Sequence, residues 1–215
     1  MSQPDPNAPV TAVPVEAARP DPRAAAQEAG GAAWQIIQEL VRDPFAALKD
    51  AAAASAQTRL GVAVVFALVF VVASAVAVGG LISLFGGAAL ARAIGFNAGI
   101  AIKSAVVGAV SLAGLAGGLF AARALFKGRS EPITDLLAAG IAMLPFAIVL
   151  ILARFIDFGR FGLVLVVIAG SWATILLFDY LHSVSGVQKR ESLWGVPIAW
   201  IGYGVAAWLA GEIVF

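Results

Sequence analysis

The chain contains no cysteine and a single histidine, His182. The first absence excludes disulfides, thiolate nucleophiles, cysteine-ligated iron–sulfur clusters and cysteine-type zinc sites. The second leaves no histidine pair with which to hold zinc or haem. Charge is scarce too: Asp, Glu, Lys and Arg make up 13% of the 215 residues and apolar residues 61%. A soluble globular domain carries about 25% charged residues. The net charge of +1 and the lack of a basic face with interleaved aromatics argue against nucleic acid as a partner. No phosphate-binding loop stands between a strand and a helix; Gly79-Gly80 and Gly86-Gly87 lie towards the end of an apolar run. No cofactor is therefore expected. The opening residues also lack a basic start followed by an apolar run, so the first span is expected to serve as its own uncleaved insertion signal.

What charge there is clusters. Residues 1–59 hold twelve of the 27 charges, and long stretches beyond Leu60 hold none. Six prolines fall within the first 22 positions (Pro4, Pro6, Pro9, Pro14, Pro20, Pro22), among Ala, Asp, Glu and Arg. Such a segment buries too little apolar area to offset its ordering entropy, so residues 1–31 read as a disordered arm. From 32 to 57 the pattern becomes amphipathic. Trp34, Ile37, Val41, Phe45 and Leu48 recur at three- and four-residue spacing, with Gln35, Gln38, Glu39, Arg42, Lys49 and Asp50 opposite. Asp43-Pro44 supplies a cap followed by a first-turn proline, which predicts two short helices meeting there. An in-plane helix anchored by Trp34 and Phe45 is one reading, and a helix packed on the membrane domain is the other.

Residues 58–215 read as five apolar spans, at about 60–85, 98–122, 136–153, 161–178 and 192–211. Each approaches the roughly 20 residues needed to cross about 30 Å of hydrocarbon. Lipid offers no partner for backbone polar groups, so these runs must be helices. The expected fold is thus all-α: a five-helix transmembrane bundle behind an amphipathic segment and an arm. With the N-terminus inside, the cytoplasmic segments carry Arg42, Lys49, Arg59, Arg123, Lys127, Arg129, Lys189 and Arg190. The outer ones carry only Arg92, Lys103, Arg154 and Arg160. The asymmetry predicts a cytoplasmic N-terminus and an outer C-terminus, with Arg123, Lys127 and Arg129 forming a basic cytoplasmic loop.

Ser104, Gly108, Ser111, Gly114 and Gly118 fall roughly along one face of the second span, and Gly195, Ala199, Gly202 and Ala206 along the fifth. Small faces admit close helix approach. They serve either packing within the bundle or, more sharply, a homo-oligomer interface or pore lining. Pro145 should kink the third span by removing a hydrogen bond and clashing with the Ile141 carbonyl. No charge lies at a predicted bilayer midplane, which argues against a proton-coupled pump. Asp135, Asp179 and Glu212 sit at predicted helix ends and Lys103 about one turn in, where solvation or snorkelling is expected.

Several of these stretches resemble the Yip (Ypt-interacting protein) family of five-span membrane proteins, in its prokaryotic form. The likeness rests on Leu125-Phe126-Lys127-Gly128-Arg129, then Asp135-Leu136-Leu137 and Met143-Leu144-Pro145. Asp43-Pro44-Phe45 and Ser183-Val184-Ser185-Gly186 add to it, and together they cover roughly residues 35–210. The resemblance implies a membrane-organising or partner-binding protein without established chemistry.

Asp179, His182, Ser183 and Ser185 form the one polar cluster that invites a catalytic reading. Asp179 and His182 share a helix face, but Ser183 adjoins His182 and should point elsewhere, and no GxSxG elbow is present. Two functions remain on these grounds: a non-enzymatic scaffold with a cytoplasmic N-terminal recruiting segment, or a small transporter or channel with a glycine-lined path through spans two and five.

Overall fold

The computed structural model of the chain describes residues 22–86, 97–156, 158 and 161–215. The proline-rich residues 1–21, Arg92, Asp157, Arg160 and the side chain of Arg154 lie outside the described residues. Every regular element described is helical: α1 Pro22–Arg42, α2 Pro44–Ala53, α3 Ala56–Gly86, α4 Ala98–Leu125, α5 Pro132–Phe155, α6 Phe161–Asp179 and α7 Lys189–Val214. A π-helical turn, Tyr180–Val184, continues α6. The helices α3 to α7 are long and apolar enough to cross a membrane, which makes the expected five-span bundle the observed one.

Helix α1 begins inside the segment whose composition reads as arm. Pro22 occupies the first turn, where its missing N–H costs nothing, and Ala24, Ala25, Ala26 and Ala29 have the highest helix propensity. Ala29 seats on Gly61 of α3, where a Cβ would fall 2.7 Å from the alanine methyl. Asp43 then accepts hydrogen bonds from the N–H groups of Phe45 (3.1 Å) and Ala46 (3.0 Å), capping α2.

The single apolar stripe expected over Trp34–Leu48 is not how these helices are used. Ala33, Ile36 and Leu40 are the buried seam of α1, joined by Ala47, Leu48 and Ala51 of α2. Trp34, Val41 and Phe45 stand outward, Val41 at 84% exposed. Positions 33 and 40, like 34 and 41, are two turns apart, so two neighbouring apolar seams run along α1. One packs on protein and the other does not.

The bundle is organised around two intimate pairs, α4 with α7 and α3 with α5. In the antiparallel α4–α7 pair, Gly114 lies against Gly202 and Ala206, and Gly118 against Ala199 and Ile198. In the parallel α3–α5 pair, Gly140 lies against Phe66. Lipid tails are as apolar as leucine, so close van der Waals approach rather than water exclusion holds such helices together. Helix α6 packs on α5 from outside and touches α7 through Trp200 Nε1, which donates to Thr174 Oγ1 at 3.2 Å.

Candidate functional site

Apart from Ser111 in mid-α4, the buried polar residues described gather at one end of the bundle, where α4 finishes, α5 starts and α6 passes into its π turn. Arg123 lies in the last turn of α4 and Asp135 in the first turn of α5, the ends at which each charge is favoured by the helix dipole. A short loop returns the chain so that the two meet. Arg123 Nε donates to Asp135 Oδ2 at 3.1 Å and its terminal nitrogen to the same oxygen at 2.9 Å. The pair is almost fully enclosed, with side chains 10% and 1% exposed. Phe120 covers the guanidinium from 5.0 Å.

Tyr180, the first residue of the π turn, donates to Asp135 Oδ1 at 2.6 Å. Its only proton is then committed, so Ser130 must donate to the Tyr180 oxygen across 2.8 Å. Ser130 has spent its own proton, and Ser185 must donate to it across 3.0 Å. The result is a directed chain from Ser185 through Ser130 and Tyr180 to the Asp135 carboxylate, closed by Arg123. Every member finds a partner, the condition under which a buried polar network rigidifies rather than weakens a fold.

The backbone around this clasp is equally specific. Gly128 N donates to Arg123 O at 2.8 Å and Lys127 is left-handed at φ 57, which together end α4 in a Schellman motif. A Cβ on Gly128 would fall 2.7 Å from Arg123 Cγ and 3.1 Å from the Ser185 carbonyl oxygen, so only glycine lets the loop close over the pair. Arg129 N donates to Ser185 O at 2.8 Å, tying loop to π turn. A second clasp stands nearby. Arg59 of α3 donates to Thr134 Oγ1 and Glu131 Oε2, each at 3.0 Å, and joins the starts of α3 and α5.

These observations correct several expectations. Asp135 is neither solvated nor snorkelled, and Arg123 is not part of an exposed basic loop; each neutralises the other inside the protein. Lys127 and Arg129 remain exposed. Ser183 turns from His182 and donates its hydroxyl to Asp179 Oδ1 at 2.6 Å, four residues back on the same helix face. His182 instead directs Nδ1 to the Val187 carbonyl oxygen at 3.1 Å. No hydrogen bond joins His182 to Ser183 or Ser185 among the described residues, so no nucleophile and base are assembled there.

The small residues of α4 also divide between two neighbours. Gly108 faces Ser74 and Phe70 of α3, away from the α7 side that Gly114 and Gly118 occupy, and Ser104 is half-buried. Gly195 meets the Leu181 side chain of the π turn. Pro145 lies inside α5, where it lines an apolar groove of about 430 Å³ shared with Ile37 of α1 and Trp172 of α6.

Sequence reasoning missed the Arg123–Asp135–Tyr180 clasp. A signal did exist: opposite charges at the facing ends of consecutive spans, twelve positions apart across a short loop. The π turn that delivers Tyr180 and Ser185 has no composition cue. No family model, curated protein or solved structure matches the chain. The fold itself establishes a multi-pass integral membrane protein whose apolar helices contact the lipid bilayer.

Proposed function

We propose that this protein is a non-enzymatic membrane scaffold of the Yip type, which organises the bilayer or recruits a protein partner through its α1–α2 end. The observation that carries this reading is the second apolar seam of α1 and α2. Trp34, Val41 and Phe45 stay exposed on helices whose other face is committed to the bundle. Those helices are packed on the bundle through Ala33, Ile36, Leu40, Ala47, Leu48 and Ala51, so the seam is a presented surface rather than a loose tail. Contact of Gly114 and Gly118 with α7 supports the scaffold over a glycine-lined path, because the space such a path needs is filled.

The test compares the full chain with a Trp34→Ser/Phe45→Ser variant, both purified from solubilised native membranes. A defined set of proteins or lipids retained by the first and lost by the second is the expected result. Equal retention by both would remove the recruiting role of the seam.

The basic residues Arg42, Lys49, Arg59, Lys127, Arg129, Lys189 and Arg190 flank the end of the bundle that carries α1 and α2, which supports a cytoplasmic N-terminus and an outer C-terminus in the cell membrane. The cysteine-free chain makes this directly measurable. An impermeant maleimide applied to intact cells should modify Phe215→Cys and spare Lys189→Cys until the cells are opened. The reverse pattern would invert the orientation.

A further inference from the structure

Next to the clasp, between the end of α4 and the start of α7, lies a cavity of about 480 Å³. Its lining divides into an apolar side, Leu125 and Phe126, and a polar side formed by Lys127, Arg129, Gln188 and Glu191. Neither cation takes part in the ion pairs Arg59–Glu131 and Arg123–Asp135. Lys127 moreover holds φ 57, a region where glycine or asparagine is the usual occupant. Arg129 is positioned by its backbone bond to Ser185, so both cations hang from a loop fixed to the bundle.

The other wall adds to the same polarity. Helix α7 starts at this cavity, and its N-cap residue Gln188 makes no side-chain cap bond. Lys189 and Arg190 follow in the first turn, outside the lining, so within the cavity one carboxylate, Glu191, meets two cations, Lys127 and Arg129. Beside the recess the surface turns apolar, with Leu125 65% and Trp194 67% exposed. A cationic recess bordered by lipid-facing side chains fits an amphiphile with an anionic head.

We infer that this cavity takes the headgroup of an anionic phospholipid. Lys127 and Arg129 engage the phosphodiester oxygens. Gln188 and Glu191 accept hydrogen bonds from headgroup hydroxyls, and the acyl chains lie along Leu125 and Trp194.

The test uses the full chain in neutral detergent micelles doped with phosphatidylglycerol or phosphatidylcholine. Native mass spectrometry reads bound lipid and a thermal melt reads protection. Phosphatidylglycerol should bind one to one and raise the melting temperature, while phosphatidylcholine does neither. Lys127→Gln/Arg129→Gln should weaken phosphatidylglycerol roughly thirtyfold, from two basic contacts at the membrane surface. Its lipid-free melting temperature should be unchanged, because both side chains are exposed. Inorganic phosphate in place of lipid should give no protection; equal protection would assign the site to a soluble anion and overturn the lipid. Undiminished binding by the double variant, or equal binding of phosphatidylcholine, would overturn it as well. Should the double variant fail to fold, Glu191→Gln decides. Tighter phosphatidylglycerol binding on loss of the opposing charge supports the site, and unchanged or weaker binding overturns it.

Discussion

Arg123→Leu should destabilise the protein by about 3–5 kcal/mol, because it leaves the Asp135 carboxylate enclosed and uncompensated. Asp135→Leu should cost a similar amount by stranding the guanidinium. Removing both charges together is the informative step. An apolar pair of comparable volume escapes the desolvation penalty of an ion pair, so Arg123→Leu/Asp135→Leu should recover much of the loss. The residual cost comes from Tyr180, whose hydroxyl then has no acceptor in place of Asp135 Oδ1. Tyr180→Phe alone should cost about 1.5–3 kcal/mol, the worth of a hydrogen bond to a charged group. Denaturant-induced unfolding in a fixed detergent gives all four values. Strictly additive effects of Arg123→Leu and Asp135→Leu would show that the two side chains do not act as a pair.

The predicted recovery bears on why the clasp exists. If a leucine pair is nearly as stable, the ion pair's contribution lies in specifying which helix ends meet. Arg123 and Asp135 bring α4 to α5, and the hydroxyl chain through Ser130 brings in the π turn with Ser185. An all-apolar helix end could slide by a turn against its neighbours at little cost, since lipid-facing and protein-facing leucines are chemically alike. A directed set of hydrogen bonds has one register.

The spans were legible because long uncharged runs admit one structure in lipid: the helices at Ala98–Leu125 and Phe161–Asp179 start where the sequence places them. Legibility fails where three-dimensional neighbours decide. Spacing places Trp34 on the apolar stripe and leaves Ile36 off it, yet Ala33 and Ile36 join the buried core while Trp34 stands outward. Asp135 reads as a helix-end carboxylate like any other until the loop folds Arg123 onto it. The widened turn at Tyr180–Val184 escapes a period-based reading altogether, since that reading assumes 3.6 residues per turn. The Asp179–Ser183 hydrogen bond, by contrast, spans the four-residue step that an ordinary helix already places on one face.

Gly118→Leu should be among the most damaging single changes along the membrane-spanning part of α4. A Cβ at this position would fall 2.7 Å from Ala199 Cα and 2.9 Å from the carbonyl oxygens of both Ala199 and Ile198. Those atoms belong to the α7 backbone, so no side-chain rotation relieves the clash, and the helices must separate. Overpacking costs typically about 1–3 kcal/mol, occasionally more, and a backbone-to-backbone contact belongs at or above the top of that range. Gly117 supplies the control from the same helix turn. Nothing lies within 4 Å of a Cβ there, so Gly117→Leu should be tolerated and gain slightly from its better helix propensity. Gly114→Leu should behave like Gly118→Leu, since its Cβ would fall 2.5 Å from the Gly202 carbonyl oxygen. Melting temperatures of the three variants in detergent, beside solute and ion flux in proteoliposomes, separate packing from a pore. Loss of stability at 114 and 118 but not at 117, with no flux by the unmodified protein, is the outcome expected of a scaffold. Stable Gly114→Leu and Gly118→Leu variants that block a flux carried by the unmodified protein would make the α4–α7 seam a conduit and overturn the scaffold reading.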